Sequence, residues 1–97
     1  EMNYEFHPEA LEDYLEAALY YDKRGPGLGR RFIHSIEETI QRILEAPQRS
    51  RAIDDDVRRC LARVFPYGVL YTIEPSYVLI VAVMHCSREP DCKKDFL

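Results

Sequence analysis

The stretch from Val57 to Arg88 constrains the fold most, because it predicts three consecutive β-strands. β-branched, aliphatic and aromatic residues fill it, and it is broken only at Phe65–Tyr67 and Glu74–Ser76. Connections this short join antiparallel neighbours, so we expect an antiparallel meander. Its predicted strands are about Val57–Phe65, Tyr67–Glu74 and Tyr77–His85.

The first 45 residues predict a strand followed by two helices. Met2–Phe6 alternates polar and aromatic residues, as a strand does. Pro8 suits the first position of a helix, and Gly25 suits the position just after its end, near Lys23-Arg24. A second helix is expected over Leu28–Glu45, because Pro47 prevents its continuation. The short Gly-Pro-Gly link between the helices implies an antiparallel helical hairpin.

Helical periodicity predicts the buried side of each helix. The predicted core stripes are Leu11, Tyr14, Leu15 and Ala18 in the first helix, and Leu28, Phe32, Ile36, Ile40, Ile43 and Leu44 in the second. Neither helix buries its stripe alone, so both should pack on one face of a sheet. We therefore predict a single α+β domain over residues 1–97, of order β-α-α-β-β-β. Its helical hairpin packs on a mostly antiparallel four-stranded sheet, with the N-terminal strand along the sheet edge.

The composition excludes a membrane span and leaves charge as the informative quantity. No apolar run approaches the roughly 20 residues that cross a bilayer, and no signal-peptide pattern is present. The net charge is −4, yet residues 1–22 carry seven acids and no Lys or Arg, whereas residues 23–63 carry ten bases and six acids. A globally acidic chain is not steered to nucleic acid by its net field, although a local arginine cluster could bind phosphate or carboxylate.

The cysteines and the acidic run predict neither a metal site nor a cofactor. Cys60, Cys86 and Cys92 lack paired metal-ligand spacing, and we expect free thiols in a reducing cytoplasm. The polar segment Gln48–Asp56 contains three adjacent aspartates. We interpret it as a solvated loop, because a calcium loop needs spaced ligands and a glycine at its turn.

This order of elements resembles the RelE/ParE toxin superfamily of bacterial type II toxin–antitoxin modules, often called plasmid stabilisation proteins. The resemblance spans nearly the whole chain. It is carried by Phe6-His7-Pro8-Glu9-Ala10, Asp13-Tyr14, Tyr20-Tyr21, Gly27-Leu28-Gly29, Phe32, Ile36-Glu37, Ile40, Pro47, Val57-Arg58-Arg59, Phe65-Pro66-Tyr67, Tyr71, and His85 with Arg88 and Pro90.

The resemblance implies a small cytoplasmic toxin that inhibits growth and is held inactive by a cognate antitoxin. One branch of the superfamily cleaves messenger RNA on the ribosome without a metal, and the other inhibits DNA gyrase without hydrolytic chemistry. A homodimer and a toxin–antitoxin hetero-oligomer are both compatible with it. Whether this chain is an enzyme stays open at this point.

For the nuclease branch, the candidate catalytic residues are His85, Arg59, Arg63 and Arg88. Attack of a ribose 2′-hydroxyl on phosphate needs proton transfer and positive charge at the transition state. Arg59 and Arg63 are four residues apart and would share a strand face, with Arg58 on the other. A structural role for His85, hydrogen-bonded to backbone or to a tyrosine, is the alternative.

Two departures favour the other branch. Gly68 stands where nucleases of the superfamily carry a basic residue, and Asp91-Cys92-Lys93 stands where many carry a base-stacking aromatic. The acidic isoelectric point also suits a ribosome binder poorly. The sequence thus favours a ParE-like toxin that binds a target such as gyrase. A ribosome-dependent endoribonuclease and a non-toxic, interaction-only protein are the alternatives.

Overall fold

A five-stranded mixed sheet carries two helices on one of its faces. The computed structural model describes residues 2–88, apart from the side chain of Arg88. The strands are β1 (Asn3–Phe6), β2 (Ala52–Asp54), β3 (Val57–Leu61), β4 (Tyr67–Ile73) and β5 (Tyr77–His85). The helices are α1 (Pro8–Arg24) and α2 (Leu28–Glu45), and a single 3-10 turn, Cys86–Arg88, follows β5. No helix within residues 2–88 is long and apolar enough to cross a membrane.

The sheet confirms the α+β prediction but has one strand more than expected. Its order is β1-β5-β4-β3-β2, with β3, β4 and β5 forming the predicted antiparallel meander and β1 pairing parallel to β5 at one edge. The prediction of four strands is wrong, because β2 pairs with β3 inside the segment interpreted as a loop. Asp55 turns the chain between them with a φ of 44°, a left-handed conformation that aspartate tolerates. The aspartate run therefore makes a hairpin turn.

The helix boundaries follow from their terminal residues. His7 caps α1, since its Nδ1 accepts a hydrogen bond from the Glu9 N–H at 3.2 Å. Pro8 takes the first helical position, as predicted, and α1 ends at Arg24 before Gly25. Gly27 precedes α2 with a φ of 77°, and α2 spans the predicted Leu28–Glu45.

The two helices approach each other closely at Gly29. A Cβ at this position would lie 2.7 Å from the Ala18 carbonyl oxygen and 2.9 Å from the Asp22 Cβ. Because such distances are shorter than van der Waals contact, only glycine permits this spacing. The antiparallel hairpin thus depends on the absence of one side chain.

An aromatic cluster centred on Phe32 joins the helices to the sheet. Phe32 is fully buried, and four rings surround its own with centroid separations of 4.9–6.1 Å. These rings belong to Tyr14, Tyr21, Phe65 and Tyr67. Tilted and edge-on aromatic pairs stabilise a core beyond the area that they bury. The cluster therefore holds α1, α2 and the β3–β4 turn against β4.

The predicted core stripe of α1 is wrong in two positions. Ala10, Tyr14 and Ala18 are buried, whereas Leu11 and Leu15 are exposed. The small alanines allow α1 to pack closely, and the Tyr14 ring stacks on Phe6 at 5.3 Å. The periodic pattern could not distinguish this orientation from the expected one, because the leucines lie only one helical position from the buried residues.

Two smaller predictions near β3 and β5 also need correction. β3 ends at Leu61 instead of Phe65, and Phe65 enters the core from the turn. Cys86 is buried and disulfide-bonded, contrary to the expectation of free thiols, whereas Cys60 is free. The spacing of the cysteines carried no pairing signal.

Gly29→Ala should lower the free energy of unfolding by roughly 1–3 kcal/mol, because the added methyl forces the helices apart. The higher helix propensity of alanine offsets only part of this cost. Urea denaturation measures the change. The exposed neighbour Arg30, changed to alanine, is the matched control and should shift stability by about 0.5 kcal/mol or less. Equal stability of Gly29→Ala and the native chain would contradict the close approach.

Stability should fall above pH 10 because of Tyr14. Burial, followed by the Glu37 carboxylate and Tyr4, raises the pKa of Tyr14 to about 12. In the unfolded chain the Tyr14 hydroxyl loses its proton near the ordinary pKa of about 10. The contribution of Tyr14 to the free energy of unfolding is therefore complete below pH 10 and is lost as pH rises towards 12. Tyr14→Phe should flatten the decline by up to about 1.4 kcal/mol per pH unit.

Denaturant titrations from pH 8 to 12 test this expectation. Tyr20→Phe removes a hydroxyl from an exposed tyrosine of the same helix and serves as the control. Burial also raises the pKa of Tyr21 and Tyr71, which leaves a residual slope in the Tyr14→Phe variant. If the free energy of unfolding falls equally steeply with pH in Tyr14→Phe and in the native chain, Tyr14 has the same pKa in the folded and the unfolded state, which contradicts the prediction.

Candidate functional site

A groove of about 650 Å³ runs between α1 and the end of β5, and we call it the α1–β5 groove. One wall is α1 and the start of α2, and the floor is the start of β4 with the end of β5. Its lining comprises Asp13, Glu16, Ala17, Tyr20, Tyr21, Arg24, Leu28, Tyr67, Val83, His85 and Ser87. The groove combines aromatic surface with both signs of charge, a composition suited to a protein segment.

His85 lies in this groove with a defined orientation. Its ring stands edge-on to Tyr67, with centroids 5.1 Å apart, and its Nδ1 accepts a hydrogen bond from the Ser87 N–H at 3.0 Å. The Cys86 N–H donates to the Pro66 carbonyl at 2.8 Å, which ties the end of β5 to the β3–β4 turn. With Nδ1 engaged as an acceptor, Nε2 is the nitrogen that can exchange a proton with a ligand.

Arg24 and Tyr20 form the rim of the groove on α1. The Arg24 guanidinium lies 4.7 Å from the centroid of the Tyr20 ring and donates a 2.6 Å hydrogen bond to its hydroxyl. A cation over an aromatic face is stabilised even at an exposed site. Asp13 and Glu16 on the same wall are exposed. Within residues 2–88, no group of three His, Cys, Asp or Glu side chains could hold a metal ion.

The sheet register places His85 and Arg59 on opposite faces. His85 is paired with Tyr67, whose side chain belongs to the core under the helices. Arg59 is paired with Leu70, and odd-numbered and even-numbered residues of β4 point to opposite faces. Arg59 therefore lies on the face away from the helices, while Arg58 is on the helix side with Tyr71.

Arg59 packs across Gly68. It is only 6% exposed, and a Cβ on Gly68 would lie 3.2 Å from its Cγ and Cδ. Gly68 thus makes room for an arginine stem from the neighbouring strand. Long charged side chains bury their methylene groups in this way. Arg59 consequently contributes to packing as well as to charge.

Five arginines line two adjoining clefts beside β3, of about 380 and 420 Å³, which we call the arginine clefts. Both are lined by Arg42, Ser50 and Cys60. Arg51 and Arg59 line the first and Arg49 and Arg63 line the second. Their guanidinium groups could bind carboxylates or phosphates bidentately.

Contacts within the fold restrain several arginines of this region. Arg42 bonds to Glu38 and to the Leu61 carbonyl. Arg49 donates to the Arg42 carbonyl, and Arg58 donates to the Gln48 and Ser50 carbonyls. Arg63 lies beyond the end of β3, so the predicted strand face does not apply to it. Its side chain is 69% exposed and is 3.7 Å from Glu38.

The structure thus brings only some candidate residues together. Arg59 and Arg63 line adjoining clefts, His85 lines the α1–β5 groove, and the side chain of Arg88 lies outside the described part of the chain. A catalytic role for these residues stays a prediction that belongs to the nuclease alternative. Sequence reasoning missed the α1 wall of the groove, although Asp13, Ala17, Tyr20 and Arg24 recur at helical spacing.

Comparison with known proteins identifies one family. The family model described as "ParE toxin of type II toxin-antitoxin system, parDE" matches residues 4–90. No curated protein sequence matches the chain. Among solved structures, a chain described as "Chromosomal ParDE TA system from P. aeruginosa" is similar, with a TM-score of 0.75. The alignment has 14% identity and covers 87% of this chain and 95% of that one. At this identity the structural likeness shows the fold alone.

Arg59→Ala and Arg63→Ala should differ in stability. Removing the buried Arg59 stem opens a gap over Gly68 and should lower the free energy of unfolding by roughly 1–3 kcal/mol. Removing the exposed Arg63 should change it by about 0.5 kcal/mol or less. Thermal and urea denaturation of both variants test this. Equal losses of stability in the two variants would contradict the packing role of Arg59. The activities of the two variants can be compared only after their stabilities have been measured.

Proposed function

Because the chain belongs to the ParE toxin family of type II toxin–antitoxin systems, we propose that it is a toxin acting by binding a cellular protein. DNA gyrase is the target that we favour, and a cognate antitoxin neutralises the toxin in the cytoplasm. In this proposal the toxin inhibits growth without hydrolysing its target. The complex with the antitoxin is a hetero-oligomer.

The separation of His85 from Arg59, on opposite faces of the sheet, is the observation that carries the proposal. An RNA-cleaving site needs its proton-transfer group and its phosphate-binding cations around one scissile phosphate. His85 instead shares the α1–β5 groove with Asp13, Glu16 and Arg24, and Arg59 lies on the opposite sheet face. Two carboxylates beside a single arginine repel a phosphate backbone on balance, and the mixed charge favours a protein ligand in this groove.

The arginine clefts also suit a protein target. Arg49, Arg51 and Arg63 are exposed, and Glu38 and Glu45 lie near them. Such mixed charge favours bidentate contacts with carboxylates at a protein interface, where arginine is enriched. A target with an acidic surface could therefore be bound here without any chemical step.

A ribosome-dependent messenger RNA endoribonuclease is the second candidate. The observation that favours it is the position of His85 in an open groove, with Nδ1 accepting from Ser87 and Nε2 left for proton transfer. In that case His85, Arg59, Arg63 and Arg88 would act together. A non-toxic protein that only binds its partner is the third candidate, and a growth assay separates it from the other two.

Induced expression in a bacterial host should arrest growth and change the supercoiling of a reporter plasmid, while transcript ends stay intact. Purified protein should inhibit gyrase supercoiling in vitro. His85→Ala is compared with His34→Ala, which changes an exposed histidine of α2.

The outcomes separate the candidates. Growth arrest and gyrase inhibition by the native chain, with transcript ends unchanged, support the proposal. New transcript ends that vanish in His85→Ala but persist in His34→Ala establish the nuclease instead. Normal growth on induction, with the folded protein present, establishes the non-toxic alternative.

A further inference from the structure

The face of the sheet that carries no helix is largely apolar, and we call it the outer face. Strand alternation and register direct to it Arg59 and Leu61 from β3, Gly68, Leu70 and Thr72 from β4, and Leu79, Ala82 and Met84 from β5. None of these residues is exposed. A solvated sheet face carries polar residues in alternation with the apolar residues of the core face. The outer face therefore has the composition of a covered surface.

Leu70 and Arg59, which pair on the outer face, are buried as deeply as core residues. Leu70 is 8% exposed and Arg59 is 6% exposed, although both helices pack on the other face. The Arg59 stem lies over Gly68, which accounts for part of this burial. A guanidinium withdrawn so far from water is stable only beside a carboxylate or another hydrogen-bond acceptor. We therefore expect a further segment of chain to cover this face and to bring an acceptor to it.

Cys86 connects the chain that follows β5 to the outer face. Its N–H donates to the Pro66 carbonyl, which places it one position beyond His85 and, by alternation, on the opposite side from His85. Its side chain is 4% exposed and disulfide-bonded, whereas Cys60 is free. Because the chain has 3 cysteines, Cys92 is the remaining partner. The disulfide thus ties the chain after the 3-10 turn back to the end of β5.

The charge beside Arg59 indicates what the covering segment carries. Arg59 lines the first arginine cleft together with Arg42 and Arg51, and the described residues that line this cleft include no carboxylate. Glu38 pairs with Arg42 from outside the cleft, and Glu5 lies at the far edge of the outer face, on β1. A segment that carries carboxylates is therefore complementary to this cleft.

Residues 89–97 have a composition of this kind. They combine acids, lysines and large apolar residues in the order Glu89-Pro90-Asp91-Cys92-Lys93-Lys94-Asp95-Phe96-Leu97. The register places Arg59 two strands away from Cys86 and several residues along the strand direction, a separation of roughly 16 Å. Residues 93–97 extend by about 16 Å, and the long arginine side chain shortens the gap, so Asp95 can reach Arg59.

We propose that residues 89–97 dock on the outer face as a strap, held at one end by a Cys86–Cys92 disulfide. A carboxylate of the strap pairs with Arg59, and Phe96 covers Leu70 and its apolar neighbours. This docking stands independently of the proposed function, but its consequence rests on that function. The strap occupies the first arginine cleft, so the acidic surface of a target has to displace it.

The charge of the outer face argues against a second copy of this face as the covering element. Such a pair would bring Arg59 and Arg51 of one copy towards the same residues of the other, which costs free energy at an interface. It would also give the Cys86 disulfide no part in the covering. A separate acidic protein satisfies the charge as well as the strap does, and contacts within one molecule distinguish the two.

The first test detects the docked strap in the whole chain, purified without reductant. Non-reducing peptide mapping should recover the Cys86–Cys92 bridge. Nuclear Overhauser contacts should connect the Phe96 ring to the methyl groups of Leu70 and Ala82. Mixing labelled with unlabelled chains should show that these contacts lie within one molecule. Their absence, or their appearance only between molecules, would overturn the inference.

The second test offers the strap as a separate ligand. The probe is a synthetic peptide with the sequence of residues 89–97, in which serine replaces Cys92. It should bind the Cys92→Ser variant at least tenfold more tightly than the native chain, because the disulfide holds the native strap on the face. Cys60→Ser removes the free cysteine and should bind the peptide as weakly as the native chain. Equal binding by Cys92→Ser and the native chain would contradict the disulfide-held strap.

The third test assigns the charge contact to Arg59. Added to Cys92→Ser, Arg59→Lys keeps the positive charge and the stem but loses bidentate binding, so the peptide should bind several-fold more weakly. Arg63→Lys changes an exposed arginine of the second cleft and should leave binding unchanged. Circular dichroism melts confirm that each variant is folded.

A neutral peptide tests the same contact from the side of the ligand. With Asn and Gln in place of its acids, the peptide should bind Cys92→Ser several-fold more weakly at low salt, because the charge contacts are removed. Equal binding of the acidic and the neutral peptide would overturn the assignment of the cleft to carboxylates.

Gyrase assays separate this inference from the proposed function. Cys92→Ser should inhibit supercoiling at a several-fold lower concentration than Cys60→Ser, since its arginine cleft is open to the target, and equal inhibition would overturn this consequence. A native chain that inhibits gyrase but shows no strap contacts overturns the inference alone. Strap contacts in a chain that inhibits neither gyrase nor growth overturn the proposed function and support the docking.

Discussion

The packing of Phe32 against four aromatic rings is the interaction on which the rest of the structure depends. Tyr14 and Tyr21 contact it from α1, Phe65 from the β3–β4 turn and Tyr67 from β4. Because these rings bury a large area with stacked, tilted and edge-on geometries, they set the position of the hairpin over the sheet. The α1–β5 groove is a consequence, since Tyr21 and Tyr67 belong both to the cluster and to the groove lining.

The period-two alternation of the sheet then distributes charge over two faces. His85 is carried to the helix side with Tyr67, and Arg59 to the other face with Leu70. Adjacent residues of a regular strand point to opposite faces of the sheet, and the register between Tyr67 and Leu70 is regular. The toxin that we propose uses these surfaces separately, with acidic and apolar groups on α1 and guanidinium groups beside β3. Binding through several complementary patches needs no common reaction centre.

Much of the fold could be predicted from local signals, and the exceptions have identifiable causes. Pro8, Gly25 and Pro47 marked the helix ends correctly, because their backbone restrictions act within the chain segment itself. β2 was missed because a three-residue edge strand carries almost no pattern, and its pairing with β3 is decided by register. The orientation of α1 was missed because the apolar periodicity of Leu11, Tyr14 and Leu15 fits two rotations of the helix. Packing against Phe6 and the close contact at Gly29 select the observed one.

The sequence by itself determined the α+β class, the order of most elements, the resemblance to the toxin superfamily and the uneven distribution of acids and arginines. These properties depend on composition and on spacings of a few residues. Only the tertiary structure decided that His85 and Arg59 lie on opposite faces, that Arg59 packs over Gly68, and that the leucines of α1 face solvent. Each of these depends on which distant segments pack together and in what register, and local spacing does not encode that choice.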